Sequence, residues 1–335
     1  MRRPAAEFLP VMTLPARAPR PDSAPVVAAV PPVTAAPTPE SVRHRRLLPA
    51  AIGAALALIW GSSFILMKQS LAVFDPVQLG GLRLVIAAAV LSPLLWATRS
   101  TIVRPIPWGL MAWSGLLGNG IPAFLFAFAQ TQLDSATAGI LNSLTPVFVI
   151  LIGALAFRDP PGWRGTLGIL LGLTGAVVLV TARSTAETHF HPLYAGLIVL
   201  ATVCYGVSVN LMRHKLYHIK PLHSTGLALL TVGIPAGVWM LTTGLWETMQ
   251  KPGALGALGF VTLLAAFGTA ISVVLFNKLI HLSGTLYATS VTYLIPVVAM
   301  GWGLLDGESI GLPHLFGMGT ILAGVWLANH RPASA

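Results

Sequence analysis

The chain has 335 residues, of which 55% are hydrophobic and only 9% are charged. Soluble domains carry about 25% charged residues, so this chain lacks the polar groups that would cover a water-exposed surface. Its net charge of +10 is dispersed between apolar runs without a basic patch of interleaved aromatic residues, and nucleic-acid binding is therefore not expected.

Residues 1–47 differ in composition from the rest of the chain. Proline, alanine and valine dominate between Pro19 and Pro39, and proline there prevents a continuous helix. A basic cluster that begins at Arg43 ends this segment, directly before the first apolar run. We predict a disordered Pro/Ala-rich cytoplasmic tail.

Ten apolar segments follow in series. About twenty apolar residues cross a bilayer as a helix, and the period-two alternation of barrel strands is missing from these segments. Short connections such as Asp75-Pro76 and Lys251-Pro252-Gly253 separate them. The predicted spans are 49–69, 78–97, 108–129, 135–157, 163–182, 193–213, 222–243, 254–277, 284–305 and 312–329.

Lysine and arginine in the loops predict the orientation, because cytoplasmic loops carry an excess of both. With the N-terminus in the cytoplasm and the tail left out, only Lys68, Arg183 and Lys251 lie on the opposite side. Both termini are therefore predicted to be cytoplasmic. The cytoplasmic basic residues are Arg99, Arg104, Arg158, Arg164, Arg213, Lys215, Lys220, Lys278 and Arg331.

Labelling of single cysteines tests this orientation. In a variant in which Cys204 is replaced, Thr185→Cys should react with an impermeant thiol reagent added outside the cell. His330→Cys should react only after the membrane is permeabilised, because charge places the two positions on opposite sides. Labelling of His330→Cys from outside would contradict the predicted topology.

The two halves of the apolar region are related in sequence, which indicates an internal repeat. The aligned pairs keep the same order along the chain, and the offset between them changes only slightly. They are Trp60 and Tyr205, Gly61 and Gly206, Ser63 and Ser208, and Lys68 and Arg213 at an offset of 145; Gly118 and Gly268, and Pro146 and Pro296, at 150; and Asp159 and Glu308, and Gly175 and Gly324, at 149.

This repeat predicts the architecture. Because each half contains an odd number of spans, the second half enters the membrane from the opposite side. We predict an all-α membrane protein with ten transmembrane helices, arranged as two inverted-topology five-helix repeats over residues 48–182 and 193–330. Such repeats with a site near the midplane are typical of transporters, because equivalent halves can exchange which side is open.

The sequence also resembles the drug/metabolite transporter superfamily, and within it the EamA-like permeases with ten transmembrane helices. The resemblance covers residues 50–329 and departs from the family at Arg158-Asp159, where the family has Gly-Glu. It implies alternating access, a bacterial inner-membrane location, and usually export of amino acids, related metabolites or toxic compounds. The residues that carry it are Trp60-Gly61-Ser62-Ser63-Phe64, Pro76, Arg83, Leu144-Thr145-Pro146-Val147-Phe148, Gly168, Gly175, Ile295-Pro296, Gly307-Glu308, Gly317 and Gly324.

Several polar or aromatic residues interrupt the apolar helices, and we predict that they line a substrate cavity near the midplane. Uncharged walls with aromatic groups suit a small solute with an apolar body and a few polar groups. The alternative for each residue is a helix-packing role, in which a polar side chain bridges helices and contributes about 0.6 kcal/mol. The candidates are Trp60, Ser63, Asn142, Tyr205, Asn210 and Tyr293.

Two basic residues are candidate electrostatic groups. Arg83 lies inside the second span, where charges usually face a bundle interior or a water-filled cavity. It is expected either to contact an anionic group such as a carboxylate or to bond nearby loop carbonyls. Lys68 shares a helix face with Trp60 and has the alternative role of an interfacial lysine. Both are expected near the outer mouth, where their field would attract a carboxylate.

Two acidic residues follow the fourth and ninth spans. Asp159, before Pro160, is predicted to cap the next helix, and Glu308 is predicted to do the same near the last span. Neither is expected to relay protons. His189 and His191 lack further ligands beyond Glu187, so no metal site and no cofactor are expected.

The predicted function is a secondary transporter that moves a small metabolite, such as an amino acid. Its partners would be that small molecule and the lipid bilayer, and the oligomeric state stays open. The alternatives are a multidrug or nucleotide-sugar-like permease, an intramembrane enzyme, or a scaffold. Motifs of hydrolases and P-loop ATPases are missing from the sequence, and an acid at midspan, which a cation pump would need, is not evident.

Overall fold

The structure is a computed structural model, which describes residues 39–160, 162–183 and 192–329. Nearly all of these residues are helical, and none forms a strand. The first helix begins at Pro39, inside the segment predicted as a tail. The rest of that tail, together with Thr185, His189, His191 and His330, lies outside the described residues.

Ten long helical segments follow one another in the described ranges, and one short helix, Leu245–Met249, lies between the seventh and the eighth. They are α1 (Pro39–Leu71), α2 (Pro76–Ala97), α3 (Trp108–Ala129), α4 (Ser135–Phe157), α5 (Trp163–Arg183), α6 (Pro192–Lys215), α7 (Pro221–Met240), α8 (Ala254–Thr285), α9 (Tyr287–Leu305) and α10 (Leu312–Asn329).

Eight of these segments are long and apolar enough to cross a membrane, and α5 and α10 contain shorter apolar stretches, Trp163–Val178 and Leu312–Leu327. Large apolar side chains such as Leu155 and Leu241 are exposed on the outside of the bundle, where lipid would cover them. The predicted all-α membrane fold is confirmed. The predicted ten crossings require α5 and α10 in addition to the eight.

Local sequence explains where helices begin. Asp75 caps α2 by accepting hydrogen bonds from the backbone N–H groups of Val77 and Gln78, both at 2.8 Å, and Pro76 occupies the first helical turn. Gly284, with φ of 80°, breaks the helical backbone near the end of α8, just before α9 begins; this conformation is accessible mainly to glycine.

Four helices are interrupted near their middle. A π-helical turn occurs in α3 at Leu116–Gly120 and another in α8 at Ala266–Ile271. In α4 the helix breaks between Asn142 and Thr145, and α9 contains a 3₁₀ turn at Val291–Tyr293. The interruptions of α8 and α9 lie about 150 residues after those of α3 and α4, so the two halves are interrupted at equivalent positions. π turns are frequent at functional sites. Here all four interruptions, of which two are π turns, lie around the centre of the bundle.

Close helix packing at a glycine also occurs at equivalent positions of the two halves. A Cβ on Gly61 would lie 2.4 Å from Val298 Cβ, which shows that α1 packs closely on α9. A Cβ on Gly206 would lie 2.9 Å from the Phe148 carbonyl carbon, so α6 packs in the same way on α4. Each glycine therefore permits one helix of its half to approach a helix of the other half.

The contacts at the two ends of α4 show the direction of the helices. Near the end of α1, Lys68 contacts Glu308, whose carboxylate also accepts a hydrogen bond from the Ser135 N–H at the start of α4. Near the end of α6, Arg213 contacts Asp159, just after α4 ends. The equivalent helices α1 and α6 thus end at opposite ends of α4, as an inverted repeat requires.

Candidate functional site

A central cavity lies among α1, α2, α3, α4, α6, α7, α8 and α9, and both halves contribute to its walls. Arg83 is the only charged residue among the described residues that line it. Aromatic and aliphatic side chains form the rest of the surface. The polar and aromatic lining residues are Trp60, Ser63, Phe64, Arg83, Ser114, Asn119, Phe126, Asn142, Thr145, Tyr205, Ser208, Thr225, Phe276, Asn277, Thr289 and Thr292.

Trp60 forms one wall of the cavity and is fixed by α8. Its indole N–H donates to the Gly268 carbonyl at 3.2 Å and to Ser272 Oγ at 3.0 Å. The ring centroid lies 5.3 Å from that of Phe276, with a tilted geometry typical of favourable aromatic pairs. Since the π turn of α8 supplies the Gly268 carbonyl, the interruption of that helix positions the aromatic wall.

Arg83 extends from α2 into the cavity. Its Nε donates to Thr269 Oγ1 at 2.7 Å, and the Tyr205 hydroxyl lies near the guanidinium. Both partners are neutral, and no carboxylate pairs with Arg83 among the described residues. A guanidinium carries five N–H donors in a planar fork, so it has donors left for an anionic ligand in the cavity.

Tyr205 is the residue that the internal repeat pairs with Trp60, and it also lines the cavity. Its ring stacks on Phe126 with centroids 6.1 Å apart, and Phe126 in turn lies 5.9 Å from Phe64. These rings join α6, α3 and α1 across the boundary between the halves. Trp60 from one half and Tyr205 from the other therefore both give the cavity aromatic surface, which suits a ligand with a flat or apolar body.

Three carboxamides supply neutral donors and acceptors. Asn142 lies at the break in α4, and Asn119 lies in the π turn of α3. Asn277 on α8 donates to Thr225 Oγ1 at 2.8 Å, which leaves its oxygen as an acceptor. Such groups bind both an ammonium and a carbonyl, and they add no fixed charge to the cavity.

Of the eight residues that the sequence predicted for binding or electrostatics, the structure brings five together around the cavity and leaves three elsewhere. The five are Trp60, Ser63, Asn142, Tyr205 and Arg83, and the three are Asn210, Tyr293 and Lys68.

Asn210 and Tyr293 do not line the cavity, because backbone carbonyls engage their polar groups. Asn210 Nδ2 donates to the Val149 carbonyl at 2.8 Å and to the Gly206 carbonyl at 2.9 Å, which ties α6 to α4. The Tyr293 hydroxyl donates to the Val325 carbonyl at 2.9 Å, which ties α9 to α10. Both residues bridge helices, the alternative role that their positions allowed.

The two basic residues have different environments. Arg83 lines the cavity together with Trp60, and its place toward the outer mouth stays a prediction. Lys68 is not available to a substrate, since its amine lies 2.6 Å from Asp306 and 2.7 Å from Glu308. Two carboxylates neutralise the lysine charge, so its field cannot attract an anion in the way the sequence predicted.

The acidic residues cap helices differently from the prediction. Glu308 accepts hydrogen bonds from the backbone N–H groups of Ser135 at 3.0 Å and Ala136 at 3.1 Å, so it caps α4 instead of the last span. The Asp159 carboxylate pairs with Arg213 at 2.7 Å, and the helix that follows begins only at Trp163.

Sequence reasoning missed Thr269, the hydrogen-bond partner of Arg83. A lone threonine in an apolar run gives no signal by itself. The repeat offset of 150, however, pairs Thr269 with Asn119, which lines the cavity. Alignment of the two halves at the π turns would have found it.

The model of the EamA-like transporter family matches the chain twice, over residues 48–181 and 193–330. The chain belongs to the EamA-like transporter family. Both matches cover the helices that line the cavity, and this EamA-like protein is therefore a small-molecule transporter of the membrane and not an enzyme.

Characterised and uncharacterised transporters resemble this EamA-like chain along most of its length. It is 26% identical over 287 residues to the S-adenosylmethionine/S-adenosylhomocysteine transporter of Chlamydia trachomatis, covering 82% of this chain and 87% of the relative. It is also 26% identical over 298 residues to the uncharacterized inner membrane transporter YedA of Escherichia coli, covering 86% and 93%.

A solved crystal structure shares the fold of this EamA-like transporter. The TM-score is 0.58 at 22% sequence identity, and the match covers 84% of this chain and 97% of the other. The likeness shows that the two chains share an overall fold.

Proposed function

We propose that the protein is an alternating-access secondary transporter, which carries a small metabolite with a carboxylate, such as an amino acid or a related compound, through the central cavity. The observation that carries this proposal is the Arg83 guanidinium, held by neutral partners within a cavity whose described lining has no acidic residue. A charge at such depth is costly unless it is compensated, and a carboxylate would compensate it.

The rest of the cavity suits the remaining parts of such a solute. The rings of Trp60, Phe126 and Tyr205 offer apolar surface to a side chain or a ring. The Asn142 and Asn277 carboxamides offer oxygen acceptors to an ammonium. An uncompensated cation, by contrast, would meet the positive charge of Arg83, which disfavours the cationic substrates of many multidrug pumps.

A second candidate substrate is a nucleoside joined to an amino acid. The relative from Chlamydia trachomatis is named a transporter of S-adenosylmethionine and S-adenosylhomocysteine, and such molecules combine a purine with a carboxylate. The aromatic walls formed by Trp60 and Tyr205 would stack on the purine, and Arg83 would bind the carboxylate. S-adenosylhomocysteine fits better by charge, since it lacks the sulfonium cation.

We propose that the protein lies in a bacterial inner membrane with both termini in the cytoplasm, and that it exports its substrate. The location accords with that in the name of the relative YedA. The orientation follows from the distribution of lysine and arginine. Export is the direction that the family resemblance implies.

Transport by purified protein in proteoliposomes tests the proposal. Uptake of amino acids, S-adenosylhomocysteine and cationic drugs should be compared for the wild type, Trp60→Ala and Asn142→Ala. Each substitution should lower transport of the preferred solute by about tenfold or more, because tenfold corresponds to about 1.4 kcal/mol, the scale of one lost stacking or hydrogen-bond contact.

The matched control for Trp60→Ala is Trp96→Ala. Trp96 is exposed on the outside of the bundle and stacks under Arg99, so its loss should leave transport unchanged. The thermal stability of each variant should be recorded at the same time. Normal transport by both cavity variants would show that the substrate does not use this cavity, and preference for a cationic drug would contradict the carboxylate.

A further inference from the structure

Two ion pairs join the halves of the protein at opposite ends of the bundle. At one end, Lys68 Nζ lies 2.6 Å from Asp306 Oδ2 and 2.7 Å from Glu308 Oε1. At the other end, an Arg213 guanidinium nitrogen lies 2.7 Å from Asp159 Oδ2. In each case the cation belongs to one half and the carboxylate to the other.

The internal repeat relates these two contacts. Lys68 aligns with Arg213 near the ends of α1 and α6, and Glu308 aligns with Asp159 just after α9 and α4. The backbone at the two acids agrees as well: the Glu308 N–H donates to the Gly303 carbonyl at 2.8 Å, and the Asp159 N–H donates to the Gly153 carbonyl at 3.0 Å. The same ionic contact is therefore used twice, once on each face.

Helix α4 runs from one ion pair to the other. Its start at Ser135 contacts Glu308, and Asp159 follows its end at Phe157. Its 23 residues extend about 35 Å, somewhat more than the roughly 30 Å of the bilayer core. Asn142 lies on the same helix between the two ends and lines the cavity, so the two ion pairs lie on opposite sides of the cavity.

We propose that the Lys68–Glu308 and Arg213–Asp159 ion pairs are the two gates of alternating access. Each pair holds the halves together at its own face, and solute enters or leaves at a face only when the pair there has separated. This inference rests on the proposed transport through the cavity. Inverted repeats favour equivalent contacts at the two faces, because the halves exchange conformations when the open side changes.

The two gates differ in strength. Glu308 is only 5% exposed, and it accepts backbone N–H groups of Ser135 and Ala136 in addition to the Lys68 amine. Arg213 and Asp159 are 40% and 39% exposed and form a single contact. Solvent-exposed pairs contribute little, whereas a carboxylate that is buried and fully hydrogen-bonded is costly to separate from its partners. In the protein without substrate, the Arg213–Asp159 pair should therefore separate more readily, so that the cavity opens mainly to that face.

Labelling of a cysteine in the cavity tests the gates without any substrate. Ser208 lines the cavity, and Ser208→Cys in a Cys204→Ala background provides one reactive thiol. Its rate of reaction with an impermeant reagent is measured from each face of sealed vesicles. In the otherwise unchanged protein, reaction from the Arg213 face should be faster, because the gate at that face is the weaker one.

Opening of the stronger gate should then change the accessible side. Lys68→Met removes the cation and leaves Glu308 free to cap α4, so labelling from the Lys68 face should rise by about tenfold or more. Joining Lys68→Cys to Glu308→Cys through a short dithiol, with a disulfide at each cysteine, spans the length of the two lost side chains. This disulfide form should abolish labelling of Ser208→Cys from that face and restore it on reduction. The matched control is Lys278→Met, since Lys278 makes no ion pair among the described residues.

Unchanged labelling from both faces in a folded Lys68→Met protein would overturn the gate assignment, as would normal accessibility from the Lys68 face in the disulfide form. If Lys68→Met is unstable, the disulfide form decides alone. A protein whose accessibility follows the gates but which transports no carboxylate would contradict the proposed substrate and leave the gates in place.

Discussion

Arg83→Gln is expected to reduce transport of the carboxylate substrate by about 100-fold or more, while the protein remains folded. Loss of one member of a buried charged hydrogen-bonded pair costs about 2–5 kcal/mol, which corresponds to a factor of roughly 30 to several thousand. In the protein without substrate, the groups that Arg83 meets among the described residues are neutral: it donates to Thr269 and lies near the Tyr205 hydroxyl. Glutamine retains a donor for Thr269, so the helices should stay packed.

Changing the solute separates a binding role of Arg83 from a structural one. The wild type should transport a solute with a free carboxylate faster than its carboxamide analogue, by about the same factor by which Arg83→Gln lowers transport of the carboxylate. The Arg83→Gln variant should transport both solutes at the same rate. Arg83→Lys should recover only part of the transport, because lysine keeps the charge but not the planar fork. An equal loss for both solutes would mean that Arg83 holds the helices and does not bind the carboxylate.

Gly324→Ala is expected to cause the largest loss of stability among single substitutions in the fifth and tenth helices. A Cβ at Gly324 would lie 2.5 Å from the Gly172 backbone nitrogen and 2.6 Å from the Gly168 carbonyl oxygen. Backbone cannot move aside as a flexible side chain can, so α5 and α10 must separate. Overpacking typically costs about 1–3 kcal/mol, and we expect a clear decrease in melting temperature of the detergent-solubilised protein.

The control for this substitution is Gly319→Ala on the same helix. Gly319 is exposed, and a Cβ there meets no atom within 4 Å, so its replacement should leave the melting temperature unchanged or slightly raised by the better helix propensity of alanine. Equal stability of the two variants would contradict the close packing of α5 on α10.

The helices and the repeat were accessible from sequence because both leave local or regular signals. Apolar length predicts a span wherever it occurs, and the pair Trp60 and Tyr205 is visible at a constant offset. The same regularity explains why Trp60, Ser63 and Tyr205 meet at one cavity. An inverted repeat brings equivalent positions of α1 and α6 towards one axis near the midplane.

The partners of polar groups could not be predicted in the same way. Lys68 and Glu308 are separated by 240 positions, and nothing local shows that the two charges meet. Asn210 and Tyr293 donate to backbone carbonyls of neighbouring helices, and every residue of the chain offers such a carbonyl. Which carbonyl a side chain reaches depends on how each helix is rotated about its own axis. In a membrane protein nearly all faces of a helix are apolar, so the sequence pattern says little about that rotation.

The Arg83 guanidinium also has an electrical consequence. Among the described lining residues, no acid balances it, so the empty cavity holds one net positive charge. A zwitterionic amino acid adds no net charge and leaves that charge in place, whereas a solute with a carboxylate and no ammonium cancels it. An elementary charge moved across the full membrane potential costs or releases about 2.3 kcal/mol per 100 mV. A carrier loaded with such an anion would therefore reorient without this electrical work, whereas an empty one would reorient with an uncompensated charge. Exchange of one anionic solute for another is accordingly the faster cycle, and net flux should depend on voltage more steeply than exchange does.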